Sequence, residues 1–272
     1  IIINVIFPML MLVSCASPKE TNYTASTPAG PVVKSFLGIP LADSIDFIRW
    51  KISFSESRYT LACNYGTGKP NTNGFISGGK TIDRSGDLRK EENIYLLEYG
   101  GKTLQLAELN ADLLHILDAD KHLLAGNGGW SYTINNTKPS VTDVINMKYG
   151  PVILKDSMVF DGRTPCGVSG VVAAGKPCYK LKWRIVLYAD AVNNQPTTFN
   201  IPGSPWYEEG GRKGTWKIIK GPGGRVTYQL SDTKGNTFYL LKAGENIVLF
   251  TDATGKLLVG NEDFSYTLNK MR

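Results

Sequence analysis

The stretch DADKHLLAGNGGWSYTIN, residues 118–135, returns at residues 252–269 as DATGKLLVGNEDFSYTLN. Both fit one gapless pattern, D-A-x-x-x-L-L-x-G-N-x-x-aromatic-S-Y-T-aliphatic-N. Agreement over that length reports a duplication, and the duplication governs the reading of the whole chain, because a repeat is a structural unit that recurs. Working upstream, Arg49-Trp50-Lys51-Ile52 matches Lys182-Trp183-Arg184-Ile185 at nearly the same offset. One copy is therefore expected from Phe36 to Pro139 and the other from Phe160 to Arg272, with residues 140–159 as a linker or the first strand of the second copy.

Periodicity gives the element type. In Ile48-Arg49-Trp50-Lys51-Ile52-Ser53-Phe54 and in Leu181-Lys182-Trp183-Arg184-Ile185 apolar and polar residues alternate, which places one face in a core and the other in water. Similar runs follow at Thr215–Ile219, Val226–Leu230, Thr237–Lys242, Asn246–Phe250 and Phe264–Leu268. Between them Gly221-Pro222-Gly223-Gly224, Lys234-Gly235-Asn236, Ala243-Gly244-Glu245 and Ala253-Thr254-Gly255 supply the glycines that hairpin turns require. Seven or eight short strands joined by hairpins remove their exposed edges by closing, so the expected fold is all-β, two tandem small antiparallel up-and-down barrels of the lipocalin-like kind. A pair of β-sandwiches is the alternative.

Residues 1–14, IIINVIFPMLMLVS, are uncharged and almost wholly apolar. The run is too short for the roughly 20 residues that span a bilayer and reads as the core of a signal peptide. It ends in Leu12-Val13-Ser14-Cys15, which resembles a bacterial lipobox, so Cys15 is the expected lipidation site and first mature residue. Acyl chains there would hold the protein at a membrane, each buried CH₂ contributing about 0.8 kcal/mol. Residues 15–35, rich in Ser, Thr, Pro, Ala and Gly, are expected to form a flexible tether.

Phe160-Asp161-Gly162-Arg163-Thr164-Pro165-Cys166, the strand KLKWRIVLY at 180–188, Gly214-Thr215-Trp216 and the ending at 252–268 resemble the N-terminal domain of NlpE-type copper-resistance and envelope-stress lipoproteins. The resemblance covers the second copy and reaches the first only through its repeat partner. It implies a lipocalin-like barrel carrying a Cys-x-x-Cys pair, an outer-membrane location, and a part in envelope-stress signalling and copper handling. The sequence departs from that pattern in three places. Cys178 follows Cys166 by twelve positions, the first copy has Ile39-Pro40-Leu41-Ala42-Asp43 where the motif would stand, and a second barrel replaces a different C-terminal domain.

Cys166 and Cys178, separated by small residues in an exported chain, are expected to form a disulfide, worth roughly 3 kcal/mol by loop-closure entropy. The alternative is a Cu(I) site built from their thiolates with Met158 as a further ligand, because soft sulfur ligands suit that ion. No other cofactor is expected. Cys63 reads as a buried small hydrophobe. His115 and His122, with Asp118 and Asp120 between them, have metal-ligand chemistry, yet they align with Leu249 and Lys256, so the repeated fold requires neither imidazole. The recurring Asp118 and Asp252 suit a turn aspartate bonded to its own backbone. Gly74–Thr81 fits the Walker A spelling but is flanked on both sides by turn-forming residues, whereas a phosphate loop needs a strand before and a helix after.

Charge divides unevenly. Residues 36–139 hold 11 Lys/Arg and 12 Asp/Glu, net −1, whereas residues 160–272 hold 15 and 9, net +6. Lys180, Lys182, Arg184, Arg212, Lys213 and Lys217 form the candidate basic surface, suited to an anionic or envelope-protein partner and, outside the cytoplasm, not to nucleic acid. With no nucleophile elbow or triad spelled out, the expectation is a non-enzymatic, lipid-anchored envelope protein of the outer membrane that binds or senses. A carrier of an apolar ligand inside a barrel and an enzyme of unrecognised type are the alternatives.

Overall fold

A computed structural model describes residues 20–140, 154, 156–172, 177–202 and 210–271. The signal-peptide and Cys15 readings lie outside those residues, as does most of the segment 140–159. The first half contains β1 (Glu20–Pro28), α1 (Pro31–Leu37), β2 (Phe47–Ser55), β3 (Arg58–Gly66), β4 (Lys80–Glu91), β5 (Ile94–Tyr99), β6 (Lys102–Asn110), β7 (Leu113–Ile116) and β8 (Thr133–Asn136). The second contains β9 (Ser157–Thr164), β10 (Leu181–Ala189), β11 (Pro196–Ile201), β12 (Arg212–Lys220), β13 (Val226–Asp232), β14 (Thr237–Lys242), β15 (Ile247–Thr251) and β16 (Thr267–Lys270). Each set of eight strands is antiparallel, ordered as in the chain, and closed: β1 pairs with both β2 and β8, and β9 with both β10 and β16. The chain is thus two tandem up-and-down barrels.

Each barrel has its own interior. Trp50, Ile52, Leu97, Leu104 and Ile134 are buried in the first, and Phe160, Trp183, Phe199, Leu230 and Phe250 in the second. Burying a large apolar side chain contributes about 1.5–3 kcal/mol, so each interior can sustain a barrel. Trp50 donates its indole N–H to Thr27 Oγ1 at 2.8 Å, and Trp183 donates to Thr164 Oγ1 at 2.9 Å. Tyr132 bonds the Gly30 backbone, and Tyr266 accepts from Gly167 N at 3.0 Å. A Cβ on either glycine would collide with the tyrosine hydroxyl.

These matched contacts move the repeat boundaries. Thr27-Pro28-Ala29-Gly30 corresponds to Thr164-Pro165-Cys166-Gly167, so the partner of Cys166 is Ala29, not a residue of Ile39–Asp43. They also correct the flexible tether at 15–35: from Glu20 onward that segment is β1, paired with β2 along its length, and from Pro31 it is α1. Its composition misled because both faces of β1 are covered. Tyr23 and Ala25 point into the barrel, while Ser26 donates to Glu262 O of the second barrel at 2.7 Å. Small polar residues here fit a tight seam and not a solvated coil. The first copy therefore begins at Glu20 and the second at Ser157.

The barrels meet about a pseudo-twofold axis, shown by repeat partners that touch one another. Ser131 Oγ lies 2.6 Å from Ser265 Oγ, and Thr133 Oγ1 lies 2.8 Å from Thr267 Oγ1, each pair being 134 residues apart. The contacts beside them are exchanged: Gly260 N donates to Asn135 Oδ1 at 2.9 Å, and Gly126 N donates to Asn269 Oδ1 at 2.6 Å. Next to this polar seam, Ala107, Leu109 and Leu113 form a third apolar cluster with their partners Leu241, Ala243 and Ile247. The run of buried residues through β7 and β15 follows, since one face looks into a barrel and the other into the neighbouring barrel.

The symmetry is imperfect at the asparagines. Asn135 also donates Nδ2 to Asn261 O at 3.0 Å, whereas Nδ2 of Asn269 is buried without a hydrogen-bond partner among the described residues. Asn135→Leu, which strands two backbone groups, is expected to cost about 2 kcal/mol, and Asn269→Leu about half that. Urea unfolding of the two variants side by side checks the ratio; equal losses would contradict it.

Candidate functional site: a groove beside the seam

The third apolar cluster opens on one side into a groove of about 660 Å³ between the barrels. Ile94, Ala107, Leu109 and Leu117 from the first barrel and Ala243 and Ile247 from the second supply its apolar lining. Its charged lining is Glu92 from the β4–β5 turn, Asp118, Lys121 and His122 from the loop after β7, and Glu245 from the β14–β15 hairpin. Polar and apolar side chains thus share the lining in similar measure, and the groove is open to solvent.

The loop after β7 is built by its aspartate. Asp118 Oδ1 accepts the backbone N–H groups of Asp120 and His122, both at 2.9 Å, and in the second copy Asp252 Oδ1 accepts those of Thr254 and Lys256 at 2.8 and 3.0 Å. The turn aspartate read from the repeat is therefore the observed one. The turn needs a left-handed residue, which in the second copy is Gly255, φ 89°, and in the first is Lys121, φ 64°. That conformation costs a non-glycine residue about 1–2 kcal/mol. Glu92, also lining the groove, has φ 52°. Strained backbone of this kind gathers at ligand sites.

The pseudo-symmetric position is filled differently. Ile94 pairs with Ala107 and Thr227 with Leu241, and Ala107 and Leu241 are repeat partners, so Glu92 corresponds to Arg225. Arg225 donates its guanidinium to Gly255 O and lies across that turn, within 3.2 Å of where a Cβ on Gly255 would stand. The first copy has the shorter, acidic Glu92 at this place.

His115 is fully buried at the seam. Its Nε2–H donates to Leu124 O at 2.9 Å, and Nδ1 accepts from Thr133 Oγ1 at 2.9 Å, which fixes a neutral tautomer. Burial, opposed in part by the bond to Leu124, pushes its pKa down to about 4. Asp118, Asp120 and His122 bring potential ligand atoms within 4.8 Å of one another, but the shared aspartate turn accounts for that proximity.

Of the residues singled out from sequence, Cys166 and Cys178 are joined as a disulfide with Cα atoms 6.1 Å apart. The closed loop carries Val168 and Val171 into the second barrel's core, as α1 carries Val33, Phe36 and Leu37 into the first. A disulfide has no thiolate to offer Cu(I). Met158 stands near the opposite end of β9 from Thr164, about 20 Å away along an extended strand, so it does not join the pair. Cys63 is buried in the first barrel, which pushes its thiol pKa far up.

The candidate basic surface is smaller than its sequence spelling. Lys182, Lys213 and Lys217 are exposed on β10 and β12. Arg184 forms a two-bond ion pair with Asp161, at 2.7 and 3.0 Å. Lys180 lies over the rings of Tyr179 and Phe264, and burial together with the nearby charges of Arg163 and Lys182 holds its pKa below the ordinary range. Arg212 is not on the surface at all: it shares the inward register of Trp216 and pairs with buried Asp232 at 2.9 Å. Gly74–Thr81 leads from the β3–β4 loop into a strand. The groove residues Glu92, Lys121 and Glu245 escaped the sequence reading, although the Lys121/Gly255 mismatch within the repeat was a signal that the two turns differ in use.

No family model matches the chain, and comparisons with curated proteins and with solved structures gave no match either.

Proposed function

We propose that this chain is a lipid-anchored, non-catalytic binding and sensing protein of the bacterial cell envelope, NlpE-like in its second copy, with the groove between the barrels as its ligand seat. The groove carries this reading. Its size suits a small molecule, and it is lined by two rigid barrels joined through a packed seam. The lipobox spelling at Cys15 supports the anchor, and the Cys166–Cys178 disulfide supports an oxidising compartment, because cytosolic thiols are kept reduced. The committed hydrogen bonds of His115 favour a binding role over a catalytic one. Ala16 and Ser17 after Cys15 favour the outer membrane over the inner. Lys182, Lys213 and Lys217 suit an anionic or envelope-protein partner.

Mass spectrometry of native protein from a bacterial host tests the anchor. The expected mature chain begins at an acylated Cys15, and Cys15→Ser leaves the membrane fraction. A mature chain that keeps residues 1–14, or a Cys15→Ser variant that stays membrane-bound, would refute it.

A further inference from the structure

We propose that the groove receives a small organic cation with an apolar body, its apolar part lying between the barrels and its cationic head held by Glu92, Asp118 and Glu245. This rests on the binding reading above and adds the class of ligand. Size admits such a molecule, because about 660 Å³ falls within the range that encloses drug-sized compounds. Charge selects it. Three carboxylates line the groove beside apolar side chains, with the Lys121 ammonium and the His122 imidazole, which lies 3.5 Å from Asp118 Oδ2, set among them; the excess is acidic, and a lining with an excess of one sign favours a ligand of the other.

The duplication supplies an internal comparison. In the second copy the place of Glu92 is taken by Arg225, whose guanidinium bonds the carbonyl of Gly255. Arg225 is itself a cation on an apolar stem, so the second copy carries within its own chain the kind of group that the turn accepts. The first copy repeats the turn with Lys121 in place of Gly255 and sets an acid where the arginine would be. The Lys121 carbonyl is then the acceptor, and Glu92 the counter-charge, for a cation arriving from outside.

Three probes sharing a body separate the possibilities: 4-phenylbutylamine, 4-phenylbutanol and 4-phenylbutanoate, each titrated into the whole protein and followed by backbone amide chemical shifts. The amine is expected to shift amides around Glu92, Lys121 and Glu245 and to bind at least about tenfold more tightly than the carboxylate. Glu92→Arg, an exposed turn change that installs the second copy's residue, is expected to weaken the amine by about tenfold or more, and Glu245→Gln to weaken it less. Equal binding of the alcohol or the carboxylate at these residues overturns the cationic class while leaving the groove as a ligand seat. Amine binding indifferent to both substitutions overturns the placement of the head. If no probe shifts these amides, the proposal and the binding reading beneath it both fall.

Discussion

Arg212→Met is expected to destabilise the second barrel by about 3 kcal/mol, whereas Lys182→Met should change stability by less than about 0.5 kcal/mol. The sequence places both residues on one basic surface, and the structure separates them. Lys182 is exposed, while the Arg212 side chain is 8% accessible and faces an Asp232 carboxylate that is 0% accessible. Removing the guanidinium leaves that carboxylate with the backbone N–H groups of Lys234 and Asn236 and the amide of Asn236, but without the charge of Arg212. Those remaining bonds keep the loss at the low end of what breaking a buried pair costs. Urea unfolding monitored by tryptophan fluorescence checks both numbers, and equal stabilities of the two variants would show that Arg212 is not held as described.

Acidification is expected to remove about 3 kcal/mol through His115 alone. The imidazole is neutral in the folded protein, its pKa pushed by burial from 6.5 to about 4. Between those values the unfolded chain binds a proton that the folded chain refuses, so stability is complete above about pH 6.5, falls as pH drops toward about 4, and then levels. His115→Leu installs the residue of the second copy, Leu249, and should flatten this part of the profile. Burial pushes the carboxyls of Asp232 and Asp252 up, but hydrogen bonds led by those of Asn236 and Thr254 bring both net below the usual range, and they act equally in the two proteins. Unfolding midpoints at pH 7, 5.5 and 4 give the comparison; parallel profiles would show that the buried imidazole does not govern acid sensitivity.

The barrels were legible because hairpin turns and alternating strands are local signals: Leu181-Lys182-Trp183-Arg184-Ile185 announces one wet and one dry face without help from the rest of the chain. The seam was not legible. It depends on which outward residues meet another barrel, and that is a long-range fact. β1 shows the difficulty, since ETNYTASTP has the composition of a coil and becomes a strand because Trp50, the Asn135 strand and the second barrel surround it. The same holds for the groove, whose parts come from four separated turns and strands. Cys166 and Cys178 are readable as a pair from their spacing and the small residues between them, while the displacement of Met158 requires knowing that β9 runs straight through its barrel.

Covalent fusion of two equivalent barrels alters what inheritance can do to their meeting point. In a dimer of identical subunits one codon change alters both sides of the axis at once, so an arginine that shuts one recess must shut the other, and an acid that opens one must open both. Here each side has its own codon. Arg225 can lie across its own turn while Glu92 stands at the matching place in the first copy, so the two sides of the axis are free to diverge one residue at a time.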